Sequence, residues 1–128
     1  MESGLPMKEN LAIRSKIWIE DADGKVVIGF GRLRMLKAIK RHGSLHAAAK
    51  ELKIGYRALW ARISATEERL GAPLLIKRQG GASGGGSALT PLGEKLLDDF
   101  EKIHTQVEKT ADTLFAETFG KDSQEPYD

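Results

Sequence analysis

Tyr56, Arg57, Trp60, Ala61 and Ser64 project from one side of a segment, 56–70, that carries Leu59, Ile63, Thr66 and Leu70 on another side. Spacings of four, three and four are those of an amphipathic helix with one buried face. The polar and aromatic set is weighted toward the N-terminal half of that helix. An arginine fork pairs with two acceptors on a guanine edge, and apolar groups contact a thymine methyl. A duplex major groove admits one α-helix, which makes its base contacts from N-terminal residues. These side chains therefore have the types and placement to read base edges. Trp60, between Leu59 and Ile63, is expected to be exposed.

A second set has the chemistry to hold a phosphate backbone. Ser44 stands where a helix should start, Lys53 in the break after it, and Lys77, Arg78 and Gln79 at the base of a glycine-rich stretch. Hydroxyl, ammonium, guanidinium and amide groups in such places fix a protein on a duplex without reading its sequence. The charge distribution agrees with this. The 128 residues carry a net +2, yet residues 1–29 contribute −1, residues 30–80 contribute +9 and residues 81–128 contribute −6. In the basic block the only acids are Glu51, Glu67 and Glu68. A basic block beside an acidic one marks a polyanion-binding face on a chain that stays soluble elsewhere.

Other chemistries find no support. There are no cysteines, so disulfides, cysteine zinc sites, iron–sulfur clusters and thiol nucleophiles are excluded. GGASGGGS (80–87) lacks the Gly-Lys-[Ser/Thr] of a phosphate loop, and no helix follows its glycines directly. His42 and His46 stand four apart, but Gly43 interrupts the helix between them, so both are read as surface residues and no metal site is expected. His104 is assigned to the surface or interface of a long helix. Glu67 and Glu68 point about 100° apart on a helix and are read as a solvated edge. No nucleophile, base and orienter assemble into a catalytic set, so an enzyme is not expected. The N-terminus has no apolar core of a signal peptide, and nowhere do 18 apolar residues run together. A soluble, cytoplasmic protein without contact to membranes is expected.

The elements that must position these residues follow from pattern. IRSKIWIE (13–20) alternates Ile13, Ile17 and Ile19 with charges, and with 25–28 it predicts a hairpin across Asp21-Ala22-Asp23-Gly24. Helices are expected at 32–42, 45–52 and 56–70, with Gly43 and Gly71 closing two of them and Ser44 capping the short alanine-rich one. Residues 74–78 predict a strand, 80–87 a loop, 88–89 a return strand. Thr90-Pro91 starts a long helix to about 119. Along it Leu96, Phe100, Ile103, Val107 and Leu114 form a stripe close to a heptad seam, as a helix–helix dimer interface requires. Short helix, tight break and longer helix make a helix-turn-helix.

At this point the sequence resembles known families. GSLHAAAKELKIGYRALWARISATEERLGAPLLIKR (43–78) looks like the DNA-binding segment of LysR-type regulators, and LTPLGE (89–94) resembles the start of their linker helix. GFGRLRMLKAI (29–39), the pair Gly55-Tyr56 followed by Arg57 and Trp60, and the glycines after Lys77-Arg78 bring it nearer to the ModE family of molybdate-responsive regulators. The resemblance covers roughly residues 13–115. It implies a winged helix-turn-helix transcription factor that dimerises through its helical ends. Members of the ModE family bind molybdate in a separate C-terminal module. None of its positions occurs in residues 1–128, so no cofactor is expected in this chain.

The resulting expectation is a mainly α protein with small β wings, an α+β winged helix-turn-helix with an N-terminal β-hairpin and a long C-terminal dimerisation helix. A flexible N-terminus (1–12) precedes the DNA-binding domain (13–90), with the helix-turn-helix at about 44–70 and the wing at about 74–90. The dimerisation helix (91–119) and a flexible tail (120–128) follow. The expected partners are double-stranded DNA and a second copy of the chain. The alternative is a protein-interaction or oxyanion-binding module that keeps the fold without binding DNA.

Overall fold

The computed structural model describes residues 11–81 and 84–120, with residues 79–81, 84 and 85 described by their backbone alone. Of the expected flexible ends, residues 1–10 and 121–128 lie outside the described residues. Lys16–Glu101 forms one compact unit, and the described residues 11–15 and 102–120 belong to another. The first unit contains β1 (Trp18–Glu20), β2 (Val26–Gly29), α1 (Phe30–His42), α2 (Leu45–Leu52), α3 (Tyr56–Leu70), β3 (Leu75–Gly81), β4 (Gly84–Leu89) and the start of α4 (Pro91–Phe119). Each strand pair, β1 with β2 and β3 with β4, is antiparallel. This is a winged helix-turn-helix. No helix of the described residues is long and apolar enough to cross a membrane.

The N-terminal hairpin turns where the sequence places it. The Asp21 carboxylate accepts the backbone N–H groups of Asp23 (2.8 Å) and Lys25 (2.9 Å), the local bonding that suits aspartate to turns. The Lys25 amide, with smaller contributions from Asp23 and nearby cations, holds that carboxyl below its usual range. The strand expected over 13–20 is shorter, since only Trp18–Glu20 pairs, and Ile13 and Ile19 are exposed. The register shifts between Ile19 and Glu20, and β1 is an edge. Its partner β2 supplies the core instead, through Val27 and Ile28.

Around these, α1 contributes Leu33, Met35, Leu36, Ala38 and Ile39, α2 Ala48 and Ala49, and α3 Leu59 and Ile63. α1 begins at Phe30, two residues earlier than the pattern suggests. Thr66 is also buried, its hydroxyl donating to the Val27 carbonyl (2.6 Å) and so tying α3 to the hairpin. Leu70, expected on the same face, is 38% exposed. Gly71 ends the helix there, and fully buried Leu74 closes that end of the core.

The wing corrects the expectation of a glycine loop. β3 extends to Gly81 and β4 begins at Gly84, with Lys77 opposite Ser87 and Arg78 opposite Gly86. Glycines supply backbone pairing without side chains, and here that matters because β4 lies against the corner between α1 and α2. The Ser87 N–H donates to the Gly43 carbonyl (2.9 Å), and a Cβ on Gly86 would stand 2.5 Å from that oxygen. Gly43 itself has φ 67°, a left-handed conformation that glycine adopts at little cost.

Glu67 is a second correction. Half-buried rather than part of a solvated edge, its carboxylate accepts the N–H groups of Leu74 (2.7 Å) and Leu75 (3.2 Å) and tethers the start of the wing to α3. Glu68 is exposed. Thr90 caps α4, accepting from the Gly93 N–H (3.0 Å) and donating to the Pro73 carbonyl (2.9 Å). Along α4, Leu97 and Phe100 complete the core. Phe100 is 1% exposed, so this position of the expected dimer seam is used within the chain itself, while Leu96 packs partly against the same core.

Gly86→Ala should therefore lower stability by about 1–3 kcal/mol, the usual cost of overpacking a site that cannot relax. Thermal or denaturant unfolding checks this, with Gly55→Ala, which adds its methyl to open space, as the comparison.

Candidate nucleic-acid interface

α2, the turn after it and α3 form the frame of the site. The Ser44 hydroxyl accepts the Ala47 N–H (3.1 Å), so the residue proposed to touch phosphate also caps α2. The capping bond uses the oxygen as acceptor and leaves the hydroxyl proton to donate. α2 ends at Lys53, whose φ of 60° is the only positive value at a non-glycine among the described residues. Its N–H and that of Ile54 bond back to carbonyls of α2, and Ile54 packs on the core. That left-handed residue turns the chain sharply enough for α3 to start three residues later.

Gly55 is the N-cap of α3 and offers no capping side chain. The first N–H groups of a helix have no partner within it and carry a partial positive charge. Beside that end lie the expected reading residues. Arg57, Trp60 and Ala61 are exposed, Trp60 by 54%, and Ser64 is half-buried. Tyr56 is exposed on one side and stacked on the other against His46, ring centroids 4.0 Å apart and nearly parallel. His46 thus braces the first residue of α3 from α2. The sequence reading left it as an ordinary surface histidine, and no local spacing connects residues ten apart across a turn.

The backbone-binding candidates divide in two. Lys53 and Lys77 are exposed. The Arg78 guanidinium lies over Gly43, so close that a Cβ there would stand 2.6 Å from it. The wing thereby carries Arg78 to the residue next to Ser44. Gln79 lies in β3, but its side chain is outside the described residues.

Electrostatics separates this face from the rest of the basic block. Lys37 pairs with Glu101, Lys40 with Glu94, and Arg41 and His42 both with Glu51. Hydrogen bonding to Arg41, then to His42, holds the Glu51 carboxyl below its ordinary range. Among the described residues, no carboxylate comes within ion-pair distance of Lys53, Arg57, Lys77 or Arg78. Lys37, Lys40, Arg41 and His42 of α1 are thus paired with carboxylates, whereas Lys53, Arg57, Lys77 and Arg78 are not.

Comparison with known proteins agrees with this geometry. The family described as bacterial regulatory helix-turn-helix protein, lysR family, matches residues 30–94. The molybdenum-pterin-binding protein MopB of Rhodobacter capsulatus is 42% identical over 82 residues, 64% of this chain and 30% of its own length. The transcriptional regulator ModE of Haemophilus influenzae is 36% identical over 92 residues, 72% of this chain and 36% of its own. The chain spans about a third of the length of these curated relatives. Among solved structures, the DNA-binding domain of CbnR in complex with DNA is similar at a TM-score of 0.56 and 27% identity, covering 70% of this chain and 97% of that one. The BenM DNA-binding domain with catB site 1 DNA gives 0.53 and 26%, covering 69% and 92%.

An aspartate at position 55 tests the role of the uncapped helix start. Gly55 has φ −71° and ψ 148°, the extended conformation of a capping residue, and open space around its Cα. Gly55→Asp should leave the melting temperature unchanged or slightly higher, since aspartate caps at least as well as glycine. Duplex affinity should fall at least tenfold if this end faces the phosphate backbone, because a carboxylate there repels it. Thermal unfolding and a fluorescence titration with duplex DNA read the two effects separately.

Proposed function

We propose, on the premise that the chain belongs to the lysR family of bacterial regulatory helix-turn-helix proteins, that it is a sequence-specific DNA-binding transcriptional regulator. α3 enters the major groove, and Tyr56, Arg57, Trp60, Ala61 and Ser64 read base edges. Ser44, Lys53, Lys77, Arg78 and Gln79 hold the flanking phosphates. The observation that carries this reading is the set of uncompensated cations around the uncapped start of α3, beside exposed Arg57 and Trp60.

The genes it controls belong to the handling of molybdate or a related oxyanion; the support is the similarity to relatives whose names refer to molybdenum. The protein acts in the cytoplasm as a binding protein and not as an enzyme, and residues 1–128 hold no cofactor. It works as a homodimer through α4. In support, Ile103 and Leu114 are 48% and 56% exposed, and Val107 is half-buried between them in sequence. Spacings of four and seven keep the three on one stripe. Two recognition helices about 34 Å apart can enter successive major grooves on one side of a duplex, which a two-fold dimer provides.

Duplex binding should weaken steeply with salt. Each phosphate neutralised contributes roughly −0.9 to the slope of log K against log salt, so about six to ten contacts lose on the order of 10³–10⁵ in affinity between 50 and 200 mM. Absence of binding even at low salt would refute the proposal. Arg57→Ala should cost about 1–3 kcal/mol on the specific site and relax one base position, whereas Lys77→Ala should weaken all sequences alike and flatten the slope.

Joint replacement of Ile103 and Val107 by aspartate should give a folded monomer that no longer binds its specific site. Light scattering on wild type and variant checks the assembly, and a wild-type monomer at tens of micromolar contradicts it.

A further inference from the structure

Three arginines of the first unit meet on a flank of α3 that the reading face does not use. Arg62 and Arg69 stand seven residues apart, about two turns along one stripe of the helix. At 100° per residue that stripe lies on the opposite flank from Arg57, Trp60, Ala61 and Ser64. Arg32, in the first turn of α1, reaches the same place: its Nε donates to the Arg62 carbonyl (3.3 Å). Arg69 donates from Nη1 to the Val26 carbonyl of β2. Two backbone carbonyls thus pin the guanidiniums of Arg32 and Arg69 on the flank that carries Arg62, and both Arg32 and Arg69 are half-buried.

None of the three is neutralised. Among the described residues no carboxylate lies within ion-pair distance of Arg32, Arg62 or Arg69. Asp21 feels the charge of Arg69, but its Oδ1 is already engaged by two backbone amides of the hairpin turn. Burial, and then the charges of Arg69 and Arg62, push the Arg32 guanidinium below the ordinary arginine range. The fold does not require this. Lys37, Lys40 and Arg41 on the same helix α1 all have carboxylate partners.

We infer that Arg32, Arg62 and Arg69 form a binding site for a multiply charged oxyanion of the phosphate class, separate from the base-reading face. Guanidinium forks match the paired oxygens of a tetrahedral oxyanion, and Arg32 and Arg69 each keep N–H donors beyond the one spent on a carbonyl. The anion supplies the counter-charge that the chain withholds. Its source is either a free ion or a phosphate of the nucleic-acid backbone.

The test is thermal unfolding of the full chain in inorganic phosphate, against chloride at equal ionic strength. A ligand bound only by the folded state raises the melting temperature with its concentration. Phosphate should raise it and chloride should not. Arg62→Gln removes an exposed side chain that holds no other element in place, and it should weaken the apparent phosphate affinity tenfold or more. Arg62→Lys keeps the charge, loses the fork and should weaken it severalfold. Arg57→Gln should leave it within about twofold. The inference is overturned if phosphate acts no differently from chloride, or if Arg57→Gln abolishes the effect while Arg62→Gln and Arg62→Lys retain it. Duplex titrations of Arg62→Gln identify the source: an unchanged salt slope marks a free oxyanion, and a slope shallower by about 0.9 marks a backbone phosphate.

Discussion

The reading surface depends on how closely the wing backbone approaches the corner between α1 and α2. Gly86 and Gly43 leave no room for a Cβ at that approach, and the Ser87 N–H to Gly43 carbonyl bond fills the gap. From the other end, the Glu67 carboxylate takes the two N–H groups with which the wing begins. Partly buried backbone amides need an acceptor, and this carboxylate provides it for both. With both ends fixed, Arg78 is carried to Gly43 and Lys77 to the base of the wing. The cations proposed to bind phosphate are therefore held relative to α2 and α3 by backbone geometry and not by long side chains alone.

Charge is arranged around the same frame. Exposed ion pairs add little to stability, so the pairs on α1 are better understood by what they remove from the surface. Glu94 and Glu101 from α4, and Glu51 from α2, neutralise Lys40, Lys37 and Arg41. Among the cations left without a carboxylate partner are Lys53, Arg57, Lys77 and Arg78. The net +9 of residues 30–80 is thus a poor measure of the field, because its counter-charges come largely from the acidic segment that follows.

Much of this was legible in the sequence, and the failures have physical causes. Helical periodicity and capping residues placed α2 and α3 because both helices bury a stripe and end at residues with a fixed conformational role. The exposed side of α3 followed from the buried one. Contacts between segments left no such trace. Glu67 bonds amides seven and eight residues ahead, and His46 stacks on a ring ten residues away. Glycine misled in the wing, since the residue that usually marks a loop here marks a strand pressed against another backbone. The alternation of Ile13, Ile17 and Ile19 misled in the hairpin, where Ile13 and Ile19 are exposed, Ile17 packs only partly against the core, and β2 supplies the buried residues.

The apolar stripe of α4 shows the limit of pattern most clearly. A near-heptad spacing reports that something packs on the helix without saying whether the partner belongs to the same chain. The answer changes along one helix. Up to Phe100 the stripe is used to close the core of the first unit, and Leu97, outside the predicted seam, is among its most buried members. After Phe100, Ile103 and Leu114 keep about half of their surface in water. Leaving side chains of that size uncovered forgoes roughly 25 cal/mol for each Å² of apolar surface, a loss that a partner helix recovers. A two-fold partner on that stretch would recover it on both chains at once. The same helix that fixes the recognition unit internally would then also set the spacing between two such units.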